Sequence, residues 1–208
     1  MMEQSDGMPK KVIFFEGETI VVDNSEKCAN AIAYLSEQKI LGFDTETRPA
    51  FNRLESLSRK VALLQLSDDK RAYLFRLNKI GLPESICNLL ANPKVIKIGA
   101  AIHDDIRTLQ RLTPFLPKSF IDIQKVVEKY GIVQYKALKT LSEIILNATI
   151  SKSQRLSNWE RHDLSDAQQR YAATDAWICR EIYLKLQDIR EIKNIETEFI
   201  TDELLNII

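Results

Sequence analysis

The sequence predicts a mixed α/β domain, a sheet of five or six strands flanked by helices, and three observations carry that prediction. "ILGFDTET" from Ile40, "VALLQLSD" from Val61 and "RAYLFRL" from Arg71 are consecutive β-rich runs with no helical pattern between them, the last two joined by turn residues. That part of the sheet reads as antiparallel. From Leu82 onward extended and helical patterns alternate, the texture of βα units. The 208 residues are 45% hydrophobic and 28% charged, a composition that excludes both a disordered chain and a membrane-embedded one.

Taken in order, "VIFFEGETIVV" (12–22) reads as one strand or as two short strands about a turn at Gly17. "SEKCANAIAYLSEQK" follows as a helix capped by Ser25. After the three antiparallel strands, "LPESICNLLANP" is a short helix with Pro83 near its start, "KVIKIGA" a strand and "DDIRTLQRL" a helix. "SFIDIQKVVEKYG" runs from strand into helix, and "ALKTLSEIIL" is a helix. "LSDAQQRYAATDAWICREIYLKLQDI" is a long helix with Ser165 as its N-cap. The closing "EFITDELLNII" reads as an extra helix. Three widely spaced cysteines without a C-x-x-C suggest neither disulfides nor zinc but reduced thiols, and the polar "MMEQSDGMPKK" lacks a signal-peptide core, so a cytoplasmic protein is expected.

Two carboxylates stand oddly in the first of these strands. Side chains alternate along an extended chain, so Asp44 and Glu46 share a face with Gly42, about 7 Å apart, while Leu41, Phe43 and Thr45 take the other. Either that face is wet, the ordinary fate of a lone D-x-E, or a cation sits on it. In the long helix, Tyr171, Asp175, Ile178 and Ile182 form one otherwise apolar stripe. Asp175 pairs with an arginine there, or it faces the same centre as Asp44 and Glu46. In "GAAIHDDIRTL", Asp104 and Asp105 open a helix; one suits the cap, and the stripe Asp105, Leu109, Leu112 aims Asp105 at the sheet and leaves Asp104 as the cap. His103 has no second histidine at metal spacing. Four carboxylates with a tyrosine, and without His or Cys, form an oxygen set suited to Mg²⁺ or Mn²⁺. Two such ions about 3.5–4 Å apart activate water and stabilise a leaving oxygen, the chemistry of a nuclease.

These motifs resemble the DEDD superfamily of 3′-to-5′ exonucleases in its tyrosine-bearing branch: D-x-E in "FDTET", an aspartate opening a helix with a leucine four residues on in "GAAIHDDIRTL", and Y-x-x-x-D in "YAATDA". Within the branch, "LSNWERHDLSDAQQRYAATDAW" is similar to the corresponding segment of ribonuclease D and of Werner-type exonuclease domains. The resemblance implies a ribonuclease-H-like exonuclease domain over 12–190; the remaining 191–208 read from their own pattern as a helical tail. It further implies that Asp44, Glu46 and Asp175 hold one metal ion, that Asp44 and Asp105, partly through water, hold a second, and that Tyr171 positions the attacking water. Single-stranded or 3′-ended DNA or RNA is the implied partner, and nucleoside 5′-monophosphates the product.

Lys plus Arg equals Asp plus Glu at 29 each, so any nucleic-acid contact must be local. "RPAFNRLESLSRK" with Phe51, and "SKSQRLSNWERH" with Lys152, Arg155, Arg161 and Trp159, are the two stretches that pair basic groups with an aromatic, as a single strand requires. Trp159 equally suits the core. Two other classes of function stay open on the residues alone: a non-catalytic module that binds nucleic-acid ends or a protein, which predicts lost ligands, and a metal-dependent phosphatase of small nucleotides.

Overall fold

The computed structural model describes residues 9–49, 61–134 and 136–205, with side chains through 189. Among the described residues, eight strands and seven helices follow in order: β1 (Lys11–Val12), β2 (Glu18–Val22), α1 (Ser25–Ser36), β3 (Ile40–Thr47), β4 (Val61–Ser67), β5 (Arg71–Arg76), α2 (Leu77–Ile80), α3 (Glu84–Leu90), β6 (Ile96–Gly99), α4 (His103–Leu112), β7 (Phe120–Asp122), α5 (Ile123–Glu128), α6 (Leu138–Ile145), β8 (Ala148–Thr149) and α7 (Asp166–Leu205). Six strands form a mixed sheet in the order β2-β5-β4-β3-β6-β7. The meander β3-β4-β5 is antiparallel, and β2, β6 and β7 join it in parallel pairings.

The central strand β4 is buried at every residue, which is why its sequence is apolar apart from Gln65 and Ser67. Leu41 and Phe43 of β3 pack into the core shared with α1, α3 and α4. The opposite face of the sheet lies under α7, which crosses β3, β4, β5 and β6. Trp159, fully buried, anchors the preceding loop among Leu63, Leu74 and Tyr171, so it is a core residue and not part of a strand-binding surface.

Of the two forms expected for 12–22, the structure takes the two short strands on either side of Gly17; β1 pairs with β8, and β2 pairs with β5. Three local expectations change. Asn24, not Ser25, caps α1, because Asn24 holds the extended backbone that a cap needs and its side chain accepts from the Lys27 amide at 2.9 Å. Asp104 does not cap α4. The left-handed Ala101 (φ 56°) turns the chain early, the helix opens at His103 behind Ile102, and Asp104 is exposed beside the His103 ring. The closing segment is no separate element, since α7 runs on to Leu205 with no glycine or proline to stop it. Ser165 does cap α7, in a reciprocal pairing with Gln168. Phe51 and 50–60 lie outside the described residues.

Two buried cations, Arg76 and Lys97, are outside any ion pair among the described residues. Lys97 of β6 is wholly enclosed, donating to the carbonyls of Asn92 (3.0 Å) and Val95 (2.7 Å), and its ammonium stands 5.0 Å from the centre of the Phe120 ring. Burial pulls its pKa from 10.5 to about 8. Between those two values the unfolded chain binds a proton that the folded chain lacks, so this group's contribution to stability is least below about pH 8 and rises as pH climbs toward 10.5. Urea unfolding of wild type and Lys97→Met at neutral and alkaline pH is expected to show the difference moving about 2 kcal/mol in favour of wild type. A difference that stays flat would mean that burial does not lower the Lys97 pKa in the folded protein.

Candidate active site

The β3–α7 contact builds the centre. Period two along β3 brings Asp44 and Glu46 under α7, and period 3.6 along α7 brings Asp175 down onto them. Ligand oxygens of Asp44, Glu46 and Asp175 all lie within 4.8 Å of one another. The approach depends on Gly42, the third residue of that face: a Cβ there would stand 1.9 Å from the Ala176 carbonyl oxygen.

Tyr171 sits one turn before Asp175, buried, its ring 5.9 Å from that of Trp159. Asp105 comes to the centre differently. Its Oδ1 accepts from the Thr45 hydroxyl at 2.5 Å, and Thr45 belongs to the other face of β3. Three of the four expected carboxylates therefore cluster, and the fourth is held beside them through a threonine. Lys152 donates to both oxygens of Asp175, at 3.2 and 3.4 Å, and lies 5.7 Å from the Tyr171 ring centre. Gln65, opposite Asp44 in the β3–β4 register, is fully buried next to this centre.

Removal from water and mutual repulsion raise the acids together. Asp44 is pushed well above its usual range by burial, then by the charges of Asp175 and Asp105. Glu46 is pushed up to about 10 by burial, then by Asp44 and Asp175. Burial also raises Asp175, against the opposing pull of Lys152, and raises Asp105, against the Thr45 hydrogen bond. Burial and the neighbouring Asp175 keep the Tyr171 phenol protonated. Like-charged carboxylates held this close and this dry fit a divalent cation that neutralises them. The set is all oxygen, which suits a hard ion. Cys179, one turn beyond Asp175, donates to the Asp175 carbonyl and is driven up by burial, so it remains a thiol and adds no soft ligand.

The loop bearing Lys152 is fixed at its far end. The buried Arg76 guanidinium donates to the carbonyls of Arg161 and His162, next to the Trp159 anchor. Nearer Lys152 the loop is open, with Ser151, Ser153 and Arg155 exposed. Arg48, at the start of the other basic stretch, is exposed and 3.6 Å from Glu160.

Fold and site together define a ribonuclease-H-like protein with an acidic centre at the crossing of β3 and α7. Residues 19–191 match the family model of the 3′-5′ exonuclease domain, and the chain belongs to that family. It is 32% identical over 165 residues to ribonuclease D of Haemophilus influenzae, covering 79% of this chain and 40% of that protein. It is 30% identical over 166 residues to the bifunctional 3′-5′ exonuclease/ATP-dependent helicase WRN of Mus musculus, covering 77% of this chain and 12% of that protein. Among solved structures, the Nibbler EXO domain of Aedes aegypti superposes with a TM-score of 0.74 at 23% identity, over 90% of this chain and 99% of that one. The chain thus spans about two fifths or less of these two curated relatives.

Proposed function

We propose that this protein is a metal-dependent 3′-to-5′ exonuclease that releases nucleoside 5′-monophosphates from the 3′ end of a DNA or RNA strand. The observation that carries the reading is the convergence of Asp44, Glu46 and Asp175 oxygens within 4.8 Å beside a buried tyrosine, in a chain of the 3′-5′ exonuclease family. Asp44, Glu46 and Asp175 would hold one divalent ion, Mg²⁺ or Mn²⁺, and Asp44 with Asp105 would hold a second. When bound, such ions supply Lewis-acid charge that eases deprotonation of water and offsets charge on the leaving oxygen.

The chain's own residues do the rest. Tyr171, kept neutral, is a hydrogen-bond donor at any working pH, and Trp159 fixes its ring, so it orients the attacking water. The water oxygen bonds to phosphorus, the bond to the 3′ oxygen of the preceding nucleotide breaks, and that oxygen leaves as a hydroxyl. Thr45 fixes the Asp105 carboxylate toward the centre by donating its hydroxyl to Oδ1. A cytosolic setting is part of the proposal, in keeping with three buried free thiols.

The test is digestion of 5′-labelled single-stranded and recessed DNA, and of RNA of the same sequence, with Mg²⁺, with Mn²⁺ and with chelator. A ladder shortening from the 3′ end only when metal is present is the expected result, and it names the substrate. Strands that are bound but left uncut under every condition would overturn the enzyme reading in favour of a binding module.

A further inference from the structure

Lys152 belongs to none of the roles assigned above, yet among the described residues it is the cation paired with the acidic centre. Its ammonium donates to both Asp175 oxygens, at 3.2 and 3.4 Å, and among the described residues it has no other acceptor. Asp175 is 4% exposed, whereas the Lys152 side chain is about one third exposed. The lysine therefore reaches in from the surface to a carboxylate that the fold has already buried. Its neighbours Ser151 and Ser153 are exposed, so the stem has room to swing while the far end of the loop stays pinned by Trp159 and Arg76.

Resting on the nuclease reading, we propose that Lys152 is a metal-released phosphate-binding residue: it is stowed on Asp175 while the centre lacks metal, and it turns to a phosphate of the substrate strand once a divalent ion takes Asp175. The two cations compete for the same two oxygens. A divalent ion carries twice the charge and contacts Asp44 and Glu46 as well, so it displaces the ammonium, and like charge then drives the ammonium away from Asp175. What remains within reach of a freed ammonium on a four-carbon stem is the mouth of the centre beside the Tyr171 ring, where the strand's negatively charged backbone must enter. The arrangement gives the carboxylates a neutralising partner when no metal is bound and makes strand binding depend on the metal that cleavage also needs.

The experiment measures binding, not turnover. Short 5′-fluorescent strands, as DNA and as RNA, carrying cleavage-resistant phosphorothioate linkages at the 3′ end, are titrated with wild type, Lys152→Gln and Lys152→Arg across a range of salt, with Mg²⁺ and with chelator. With Mg²⁺, Lys152→Gln is expected to bind about tenfold more weakly than wild type. The slope of log affinity against log salt should become shallower by about 0.7, the value of one phosphate contact on a single strand. Lys152→Arg should lie close to wild type. With chelator, wild type and Lys152→Gln should coincide, because the lysine is then tied to Asp175. Equal slopes with Mg²⁺ would overturn the inference, as would the same difference in both conditions, which a structural role would produce. Absence of strand binding by wild type with Mg²⁺ would overturn the nuclease reading and this inference with it.

Discussion

Asp44→Asn is expected to abolish metal-dependent strand shortening while making the metal-free protein more stable. The two effects have one cause. Asp44 lies beside Glu46 and Asp175, it is desolvated, and the charges of Asp175 and Asp105 bear on it. Removing its charge takes away a ligand shared by both proposed ions, which at about 4 kcal/mol corresponds to a ~10³-fold loss of rate. The same substitution removes repulsion that only a metal otherwise relieves, with a gain of about 1 kcal/mol, or roughly 2–4 °C in melting temperature for a chain of this size.

The pH dependence follows the same sign. A carboxylate whose folded pKa is raised binds more protons folded than unfolded, so it costs stability as pH rises. For Glu46 that window runs from 4.5 to about 10. Chelator-treated wild type should therefore lose stability across this range more steeply than Asp44→Asn, and added Mg²⁺ should restore wild type alone. Thermal melts with and without metal, beside the ladder assay, read both halves. Retained shortening would make the site assignment wrong; a lower melting temperature without metal would make the repulsion account wrong.

The acidic centre was legible because two periodicities expose it. Asp44 and Glu46 break a strand pattern of period two, and Tyr171 and Asp175 break an apolar stripe of period 3.6, so each pair declares its face without knowledge of the other. The meander was legible for a related reason: Asp68 in the β4–β5 turn accepts from the amides of both Lys70 and Arg71, a local bond that turn residues announce. What stayed hidden depends on tertiary distance. Lys152 and Asp175 are 23 residues apart, and no spacing rule pairs them. Asp105 was placed on the correct side of its helix, but its route to the centre passes through Thr45, 60 residues away, whose hydroxyl looks like ordinary strand polarity. The caps of α1 and α4 differ from the expected residues because "DNS" and "HDD" each offer several capping side chains; backbone angles select Asn24 in the first and leave α4 with Ile102 and no side-chain cap in the second. Trp159 was open between core and surface because a tryptophan in a basic loop satisfies either pattern until its neighbours are known.

Gly42→Ala is expected to damage fold and centre together, although Gly42 carries no chemistry. An added Cβ would meet the Ala176 carbonyl oxygen at 1.9 Å, its carbon at 2.6 Å and the Trp177 nitrogen at 3.2 Å, all backbone atoms of α7. No rotamer relieves such a clash, so the helix must lift away from β3. Overpacking against backbone costs on the order of 3 kcal/mol, roughly 6–12 °C in melting temperature. The lift is not confined to stability, because Ala176 follows Asp175 directly, and the separation that Cβ forces open is the one that holds Asp175 against Asp44 and Glu46. A displacement of about 1 Å in a positioned group costs on the order of 10²-fold in rate. Measured well below its melting temperature, Gly42→Ala should therefore remain folded by circular dichroism and yet cleave about 10²-fold more slowly, with weaker Mg²⁺ binding by calorimetry. It differs from Asp44→Asn in the sign of its effect on stability, which separates loss of a ligand from loss of the geometry that gathers the ligands. A Gly42→Ala protein with wild-type melting and wild-type cleavage would show that α7 does not rest on β3 at this point, and the argument that a single small residue sets the spacing of the carboxylates would fall.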